Sequence, residues 1–205
     1  PEKRVARLLL YESENLFDWQ YSCILSEWKE AKFAECPSFM QVGEKCLLTT
    51  SVCNLDETHF FSVMYGRFQD GRFYPEVTGN VDKGPDQYAG QVFTDHKGRN
   101  LLITWIPGWK YARFAEKDIG CLSVPREITI RDGKIYGYPV EEVRHLLRDS
   151  DPAVTQTDDG FVIERTLRDP VIHKGKITDL KILRDEYIIE VFVNGGETVY
   201  SALLC

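Results

Sequence analysis

Short apolar runs separated by turn residues set the hydrophobic pattern of this chain. In its first third, runs rich in β-branched, aromatic and leucine residues cover 5–11, 21–26, 46–52 and 59–68. The turn signals Gly43-Glu44 and Gln69-Asp70-Gly71 separate some of these runs. Runs of this length between turn residues are typical of β-strands, and an Asp-Gly corner is typical of a hairpin. We therefore predict antiparallel strands throughout this region.

The run 59–68 is apolar at both sets of alternating positions. Phe60 and Met64 belong to one set, and Phe61 and Val63 belong to the other. Successive residues of a strand point to opposite faces of its sheet. We therefore expect this strand to be buried on both sides.

The same pattern continues towards the end of the chain. Further strand-like runs cover 91–94, 100–106, 161–167, 176–183 and 187–193, and Asn194-Gly195 is a hairpin signal. Two stretches have a helical pattern, 111–117 and 140–148. The polar, turn-rich stretch 148–160 favours a domain boundary or linker. The pattern predicts an all-β chain, in which many short antiparallel strands suit a propeller, a barrel or a sandwich.

Length, charge and cysteine content narrow the class of protein. The 205 residues are enough for one large or two small domains, and the net charge of −7 argues against a nucleic-acid partner or an anionic membrane surface. No apolar run reaches the about 18 residues of a membrane span, so we expect no membrane partner. The six cysteines show no metal-ligand spacing, and we expect neither a metal nor a cofactor. We therefore predict that the cysteines are buried thiols in the reducing cytoplasm. Because their number is even, disulfide bonds remain an alternative.

One carboxyl has apolar and aromatic neighbours in the sequence. Glu35-Cys36-Pro37 has Trp28, Phe33 and Phe39 close by. A carboxyl held among such groups loses hydration, which raises its pKa, and a raised pKa suits a general acid near neutral pH. The local sequence is also compatible with an ordinary surface glutamate on a strand or loop, which is the commoner case.

Six segments along the chain extend this observation. They are Leu10-Tyr11-Glu12-Ser13 with Leu16 and Trp19, Glu35-Cys36-Pro37, 86–91, Gly98-Arg99 with Trp105, 120–127, and 190–197. In this order they resemble Y-x-S-x-D-L-x-x-W, E-C-P, D-F-Y-A-x-Q, G-R-x-I-L-x-x-W, G-x-L-S-L-P-R-E and E-I-F-V-N-G-G-E of glycoside hydrolase family 32. Asn15 and Gln87 depart from the usual Asp and Phe. The family comprises invertases, sucrose-6-phosphate hydrolases, levanases and inulinases.

This resemblance implies an architecture and an activity. The family has a catalytic five-bladed β-propeller followed by a β-sandwich. We therefore expect later propeller blades in residues 1–137, and a short helix, a linker and a reduced C-terminal β-sandwich region in residues 138–205. The implied activity is a glycosidase of the β-fructofuranosidase type, acting on sucrose, sucrose 6-phosphate or a fructan.

The resemblance also implies roles for individual residues. Glu35 matches the acid/base residue, and Cys36 would line the same pocket, with a packed thiol as the alternative. Asp86 would raise the pKa of Glu35 as a neighbouring carboxylate, with a turn or capping aspartate as the alternative. Tyr88 and Trp105 would offer aromatic surface to a fructosyl ring, with a core tryptophan as the alternative for Trp105.

The family's nucleophile, the Asp of a W-M-N-D-P-N-G motif, has no counterpart in this sequence. Arg168-Asp169-Pro170 matches the family's R-D-P motif in letters but lies far downstream of Glu35, which indicates a coincidence. A retaining glycosidase needs two carboxyls about 5 Å apart. We therefore expect a β-fructoside ligand together with either a missing N-terminal half or a homo-oligomer. The alternative is a non-catalytic β-protein that binds carbohydrate or completes a partner's propeller.

Overall fold

Seventeen β-strands make up most of the described residues, which are 4–106 and 120–204 of the computed structural model. The first eleven are β1 (Val5–Glu12), β2 (Gln20–Lys29), β3 (Ala31–Val42), β4 (Lys45–Asn54), β5 (His59–Gln69), β6 (Arg72–Gly79), β7 (Tyr88–Thr94), β8 (Asn100–Ile106), β9 (Cys121–Leu122), β10 (Arg126–Arg131) and β11 (Lys134–Pro139). The other six are β12 (Val154–Thr157), β13 (Gly160–Ile163), β14 (Val171–Lys174), β15 (Leu180–Asp185), β16 (Ile188–Val193) and β17 (Thr198–Leu203). The prediction of an all-β chain is confirmed.

Within the described residues these strands form five antiparallel sheets. In strand order they are β1-β2, then β3-β4-β5-β6, then β11-β10-β8-β7 with β9 beside β8, then β12-β13-β14, and finally β15-β16-β17. We call the first three sheets the N-terminal unit and the last two the C-terminal unit.

Strand β5 is buried on both faces, as predicted. On one face Phe61 packs with Val92 and Leu102 of the third sheet. On the other face Met64 packs with Leu8 of the first sheet. The second sheet therefore lies between the first and the third, and its two faces belong to two separate apolar clusters.

The first sheet has one covered face and one open face. Leu9 lies opposite Ile24, and Tyr11 lies opposite Tyr21, so these four side chains share a face. Their exposed fractions are 48%, 41%, 48% and 54% in that order. Among the described residues, this face of β1-β2 is an apolar surface open to solvent.

The C-terminal unit has a core of its own. Phe161 and Ile182 pack there with Val191 and Tyr200, which joins its two sheets. The predicted hairpin at Asn194-Gly195 is confirmed, because it connects β16 to β17. Both of its residues have positive φ, at 52° and 67°, which is why Asn and Gly suit these positions.

Four expectations concern the connecting stretches. The short helix predicted from the pattern at 140–148 is present as a 3₁₀ helix, Glu141–Leu146, which has no buried residue. The stretch 148–160, predicted to be a domain boundary or linker, contains β12, which pairs with β13, so it is not a linker without strands. The predicted helix at 111–117 lies outside the described residues. The predicted boundary at residue 137 falls within β11, and the division into domains stays a prediction.

The connection between β6 and β7, residues 81–86, attaches the N-terminal unit to β17. Asp82 forms a parallel bridge with Val199, and the Lys83 amide donates to the Val199 carbonyl at 2.8 Å. The Ser201 amide donates to Asp82 Oδ1 at 3.0 Å. The segment therefore follows the free edge of a C-terminal sheet before it enters β7.

A cluster of buried charges lies at the same junction. Arg126 donates to Asp82 Oδ2 at 2.6 Å and to the carboxylate of Glu190, and all three side chains are buried. Ser201 Oγ accepts from Arg126 and donates to Asp82, both at 2.6 Å. We call these four residues the junction cluster. Burial alone would lower the pKa of Arg126, but the carboxylates of Glu190 and Asp82 raise it, so the guanidinium stays charged.

No helix in the described residues has the length and apolar character that a membrane crossing requires.

Candidate active site

Glu35 lies at a β-bulge in β3, the edge strand of the second sheet. The register between β3 and β4 shifts between Glu35 and Ser38, and Cys36 within this shift has a φ of 51°. The Thr50 hydroxyl donates to the Glu35 carbonyl at 2.9 Å. The bulge turns the chain locally, as bulges next to functional sites often do, and it leaves the Glu35 side chain exposed.

Tyr88 begins a second bulge, in β7 at the edge of the third sheet. The register between β7 and β8 shifts between Tyr88 and Gln91, and Ala89 has a φ of 50°. The Ala89 amide donates to the buried Ser51 Oγ at 2.9 Å. A Cβ at Gly90 would lie 2.6 Å from the Phe61 ring, so a side chain there would clash with the core.

The two bulges face each other and bond directly. The Tyr88 hydroxyl donates to Glu35 Oε2 at 2.6 Å. Gln91 Nε2 donates to the Cys36 carbonyl at 2.9 Å, and so ties the second bulge to the first. Burial and the Glu35 carboxylate both raise the pKa of Tyr88 well above its ordinary value. The phenol therefore stays protonated and keeps donating to the carboxylate.

Aromatic side chains extend from Tyr88 on two sides. Trp105 on β8 lies directly opposite Tyr88 in the antiparallel register, and Leu122 on β9 lies opposite Trp105. Trp105 is 37% exposed, so it is not the core tryptophan that was the alternative. The His59 ring packs edge-on against Tyr88, with ring centroids 5.2 Å apart. The carboxylate of Glu35 therefore has an aromatic surface beside it.

Two expectations about this site are wrong. Glu35 is exposed, so it does not sit in the apolar surroundings that its sequence neighbours suggested. Trp28 and Phe39 instead pack into the apolar cluster beneath the first sheet, and Phe33 is 39% exposed. Cys36 is an exposed free thiol rather than a buried one.

The other described cysteines are also free thiols, namely Cys23, Cys46, Cys53 and Cys121. Of these four, Cys53 is buried. Burial raises the pKa of the Cys53 thiol.

Asp86 lies at the junction between the two units. It is 4% exposed, and its Oδ2 accepts from Arg165 Nη2 and from the Leu203 amide, each at 2.9 Å. Both partners belong to the C-terminal unit. The expected influence of Asp86 on the charge of Glu35 stays a prediction, as do the substrate contacts of Cys36, Tyr88 and Trp105.

Arg168-Asp169-Pro170 lies in the C-terminal unit, between β13 and β14. With Lys83 and Pro85 it lines a surface cleft of about 360 Å³ at the junction. No group of three or more His, Cys, Asp or Glu side chains within residues 4–106 and 120–204 is arranged to hold a metal ion.

Sequence reasoning missed several residues that shape the site. Ser51 fixes the Tyr88 bulge, Thr50 fixes the Glu35 bulge, and His59 packs on Tyr88. Ser51 and Thr50 lie in a run that reads as an ordinary buried strand, so nothing in their spacing marks them. The arrangement combines an accessible carboxylate with a fixed donor beside it, which is a geometry suited to general acid/base chemistry.

Models of one protein family match both the N-terminal and the C-terminal part of the chain. Residues 2–139 match the Glycosyl hydrolases family 32 N-terminal domain, and residues 148–205 match Glycosyl hydrolases family 32 C terminal. The chain is 31% identical over 164 residues to sucrose-6-phosphate hydrolase of Zymomonas mobilis subsp. mobilis, an alignment covering 72% of this chain and 32% of that enzyme. It is 30% identical over 159 residues to raffinose invertase of Escherichia coli, covering 71% and 33%. The chain thus spans about one third of the length of these relatives.

Solved structures show a similar fold. A glycoside hydrolase family 32 protein from Bifidobacterium adolescentis superposes with a TM-score of 0.76 at 20% identity, covering 98% of this chain and 43% of that one. Sucrose-6-phosphate hydrolase from Lactobacillus gasseri gives 0.74 at 19% identity, covering 97% and 55%. The predicted fold class, later blades of a five-bladed β-propeller followed by a shortened β-sandwich-like unit, is confirmed.

Proposed function

The chain belongs to glycoside hydrolase family 32, and we propose that it supplies the acid/base carboxyl, Glu35, for the hydrolysis of β-fructosides. The substrates we propose are sucrose, sucrose 6-phosphate or a fructan, and the relative from Zymomonas mobilis is named for the hydrolysis of sucrose 6-phosphate. The observation that carries the proposal is the bond between Tyr88 and Glu35, 2.6 Å long, at the point where two edge-strand bulges meet.

In the proposed reaction Glu35 acts twice, first as a general acid and then as a general base. Its carboxylic acid first protonates the leaving oxygen of the fructoside, and its carboxylate then takes a proton from the attacking water. Tyr88 holds Oε2 of Glu35 by donating to it, which leaves Oε1 to face the substrate. The nucleophilic carboxylate comes from sequence outside these 205 residues, since a retaining site needs a second carboxyl about 5 Å away.

A part of the site supplied from outside needs a surface on which to pack. The open face of β1-β2, formed by Leu9, Tyr11, Tyr21 and Ile24, supports this proposal because it is apolar and exposed. In a propeller each sheet packs face to face against its neighbours. We propose that a further sheet covers this face, contributed either by an N-terminal segment or by a second copy of the chain.

The proposal is tested by restoring the missing part of the site. The chain is fused behind the N-terminal portion of the Zymomonas mobilis relative, and release of fructose from sucrose, sucrose 6-phosphate and inulin is measured. We expect turnover that Glu35→Gln lowers by about 10²- to 10⁴-fold, the usual contribution of a general acid/base. Glu44→Gln, which changes an exposed glutamate in the turn after β3, is the matched control and is expected to leave turnover unchanged.

Three outcomes would change the proposal. Full activity of the Glu35→Gln fusion would remove Glu35 from the acid/base role. Fructose release by the chain alone, abolished by Glu35→Gln, would place the nucleophile within this sequence. Binding of fructosides without any turnover by the fusion would favour a non-catalytic carbohydrate-binding protein.

A further inference from the structure

A buried ion pair links the C-terminal unit to the chain just before Tyr88. Arg165 follows β13, and its Nη2 donates to Asp86 Oδ2 at 2.9 Å while its Nε donates to the Leu203 carbonyl at 2.9 Å. The Leu203 amide donates to the same Asp86 oxygen at 2.9 Å. Asp86, Arg165 and Leu203 thus contact one another, and we call these three residues the Asp86 anchor.

The Asp86 anchor is well shielded from water. The side chains of Arg165 and Asp86 are 5% and 2% exposed. A buried ion pair with further hydrogen bonds holds its partners in one geometry, and removal of either partner leaves an uncompensated charge. The C-terminal unit therefore holds Asp86 in place.

Tyr88 lies only two residues beyond Asp86 and is restrained on its other side as well. The next amide, that of Ala89, donates to Ser51 at 2.9 Å. Two residues span at most about 7 Å of extended chain, so a displacement of Asp86 has little length in which to be absorbed before Tyr88. Restraints on both sides therefore fix where the Tyr88 hydroxyl meets Glu35.

We propose that Asp86, held by Arg165, is a positioning residue for the hydrogen bond from Tyr88 to Glu35, so that the C-terminal unit is a working part of the active site. Asp86 then acts on Glu35 through Tyr88. The inference deepens the proposed function, because the placement of Tyr88 matters for catalysis only if Glu35 is the acid/base residue.

The test measures the geometry at Tyr88, so it is independent of turnover. The chain is labelled with [¹³Cζ]tyrosine, and the Tyr88 resonance is assigned by its loss in Tyr88→Phe. Glu35→Ala gives the resonance expected once the hydrogen-bond partner is lost. Asp86→Asn keeps the shape of the side chain but removes its charge. We expect it to move the Tyr88 resonance at neutral pH most of the way to its Glu35→Ala position.

A matched control separates positioning from general loss of stability. Asp151 is another buried aspartate of the C-terminal unit, paired with Arg184 at 3.1 Å, and it does not belong to the Asp86 anchor. Asp151→Asn should lower the free energy of unfolding while leaving the Tyr88 resonance at its wild-type position. Should Asp86→Asn fail to fold, Arg165→Lys keeps the charge but loses the fork that bonds both Asp86 and Leu203, and takes its place.

The results that overturn the proposal are equally specific. A folded Asp86→Asn or Arg165→Lys protein whose Tyr88 resonance stays at the wild-type position shows that Asp86 is only structural. An equal shift in Asp151→Asn shows that any weakening of the C-terminal unit moves Tyr88. Success of this experiment with an inactive fusion enzyme would leave the positioning role standing and remove the proposed function alone.

Discussion

Glu190 and Glu35 both lie in segments that resemble family motifs, yet their surroundings differ completely. Glu190 is 2% exposed, and its two oxygens accept from the Val124 amide and from Arg126. Glu35 is exposed, and its carboxylate oxygen Oε2 accepts from the Tyr88 hydroxyl. The Glu190 carboxylate is enclosed by the protein, whereas the Glu35 carboxylate is open to solvent on one side.

This difference separates a structural carboxylate from one that can react. A buried charge is tolerated only when its partners satisfy it fully, and those partners leave no room for a substrate or water. The junction cluster meets this condition, since Asp82 also accepts from the Gly84 amide at 2.8 Å. An exposed carboxylate with one fixed donor keeps its orientation and still leaves an oxygen for a leaving group. The comparison predicts large stability effects at the junction and small ones at the site.

The largest effect is expected for Arg126→Met. This change leaves two carboxylates, those of Asp82 and Glu190, buried without their counter-charge. We expect the free energy of unfolding in urea to fall by about 3–5 kcal/mol. Arg7→Met, which breaks an exposed pair with Glu27, is the control and should change it far less. Similar effects of the two substitutions would contradict the view that the junction cluster holds the units together.

A smaller loss is expected for Ser201→Ala in the same cluster. The hydroxyl accepts from Arg126 and donates to Asp82, so its removal leaves two buried groups short of one partner. The expected decrease in the free energy of unfolding is about 1–3 kcal/mol. Ser62→Ala removes a serine hydroxyl of similar burial outside the cluster. If both substitutions lower the free energy of unfolding equally, the hydrogen bonds of Ser201 stabilise the protein no more than those of another buried serine.

Burial of a titratable side chain, that of His173, should also make the stability of the protein depend on pH. Burial lowers the pKa of His173, and the charge of Lys83 lowers it further. The unfolded chain therefore binds a proton more readily than the folded one, so stability is fully present above the unfolded value of about 6.5 and falls as the pH drops below it. Urea unfolding between pH 5 and 8 should show this slope.

His173→Asn should flatten that slope, whatever its effect on stability at pH 8. The histidine Nδ1 lies 2.9 Å from the Tyr200 hydroxyl, and the amide of asparagine offers a polar group in the same place. His96→Asn, at an exposed position, should leave the slope as it is. An unchanged slope in His173→Asn would assign the pH dependence to another group.

Much of the fold could be predicted from the sequence because most strands are apolar. Strand β8 has the predicted bounds, and β5 differs from its prediction by a single residue. Strand β12 was missed because three of its four residues are exposed, so it shows no apolar alternation. Its hydrogen bonds with β13 hold it in place, and such bonds leave no trace in hydropathy.

The resemblance named residues of the candidate site but not their surroundings. The resemblance brought Glu35 and Tyr88 together, although they are 53 positions apart in sequence. The exposure of Glu35 follows from the bulge at Cys36, whose positive φ no pattern announced. The pair of Asp86 and Arg165 spans 79 positions. Contacts of such separation depend on how sheets pack, and local spacing cannot encode them.

The smallest effect is expected for Glu35→Gln, and it gives the sharpest test of the comparison. Glutamine keeps an oxygen that can accept from Tyr88, and the exposed side chain leaves no buried charge unpaired. Surface changes of this kind usually alter the free energy of unfolding by less than about 0.5 kcal/mol. Glu190→Gln makes the same chemical change in closed surroundings, where Arg126 loses a counter-charge, so its effect should be several times larger. Urea unfolding of both variants at pH 7.5 measures the difference. Equal effects would mean that exposure does not distinguish the two carboxylates. If Glu35→Gln leaves the protein stable, a loss of turnover in the fusion enzyme can be attributed to chemistry rather than to unfolding.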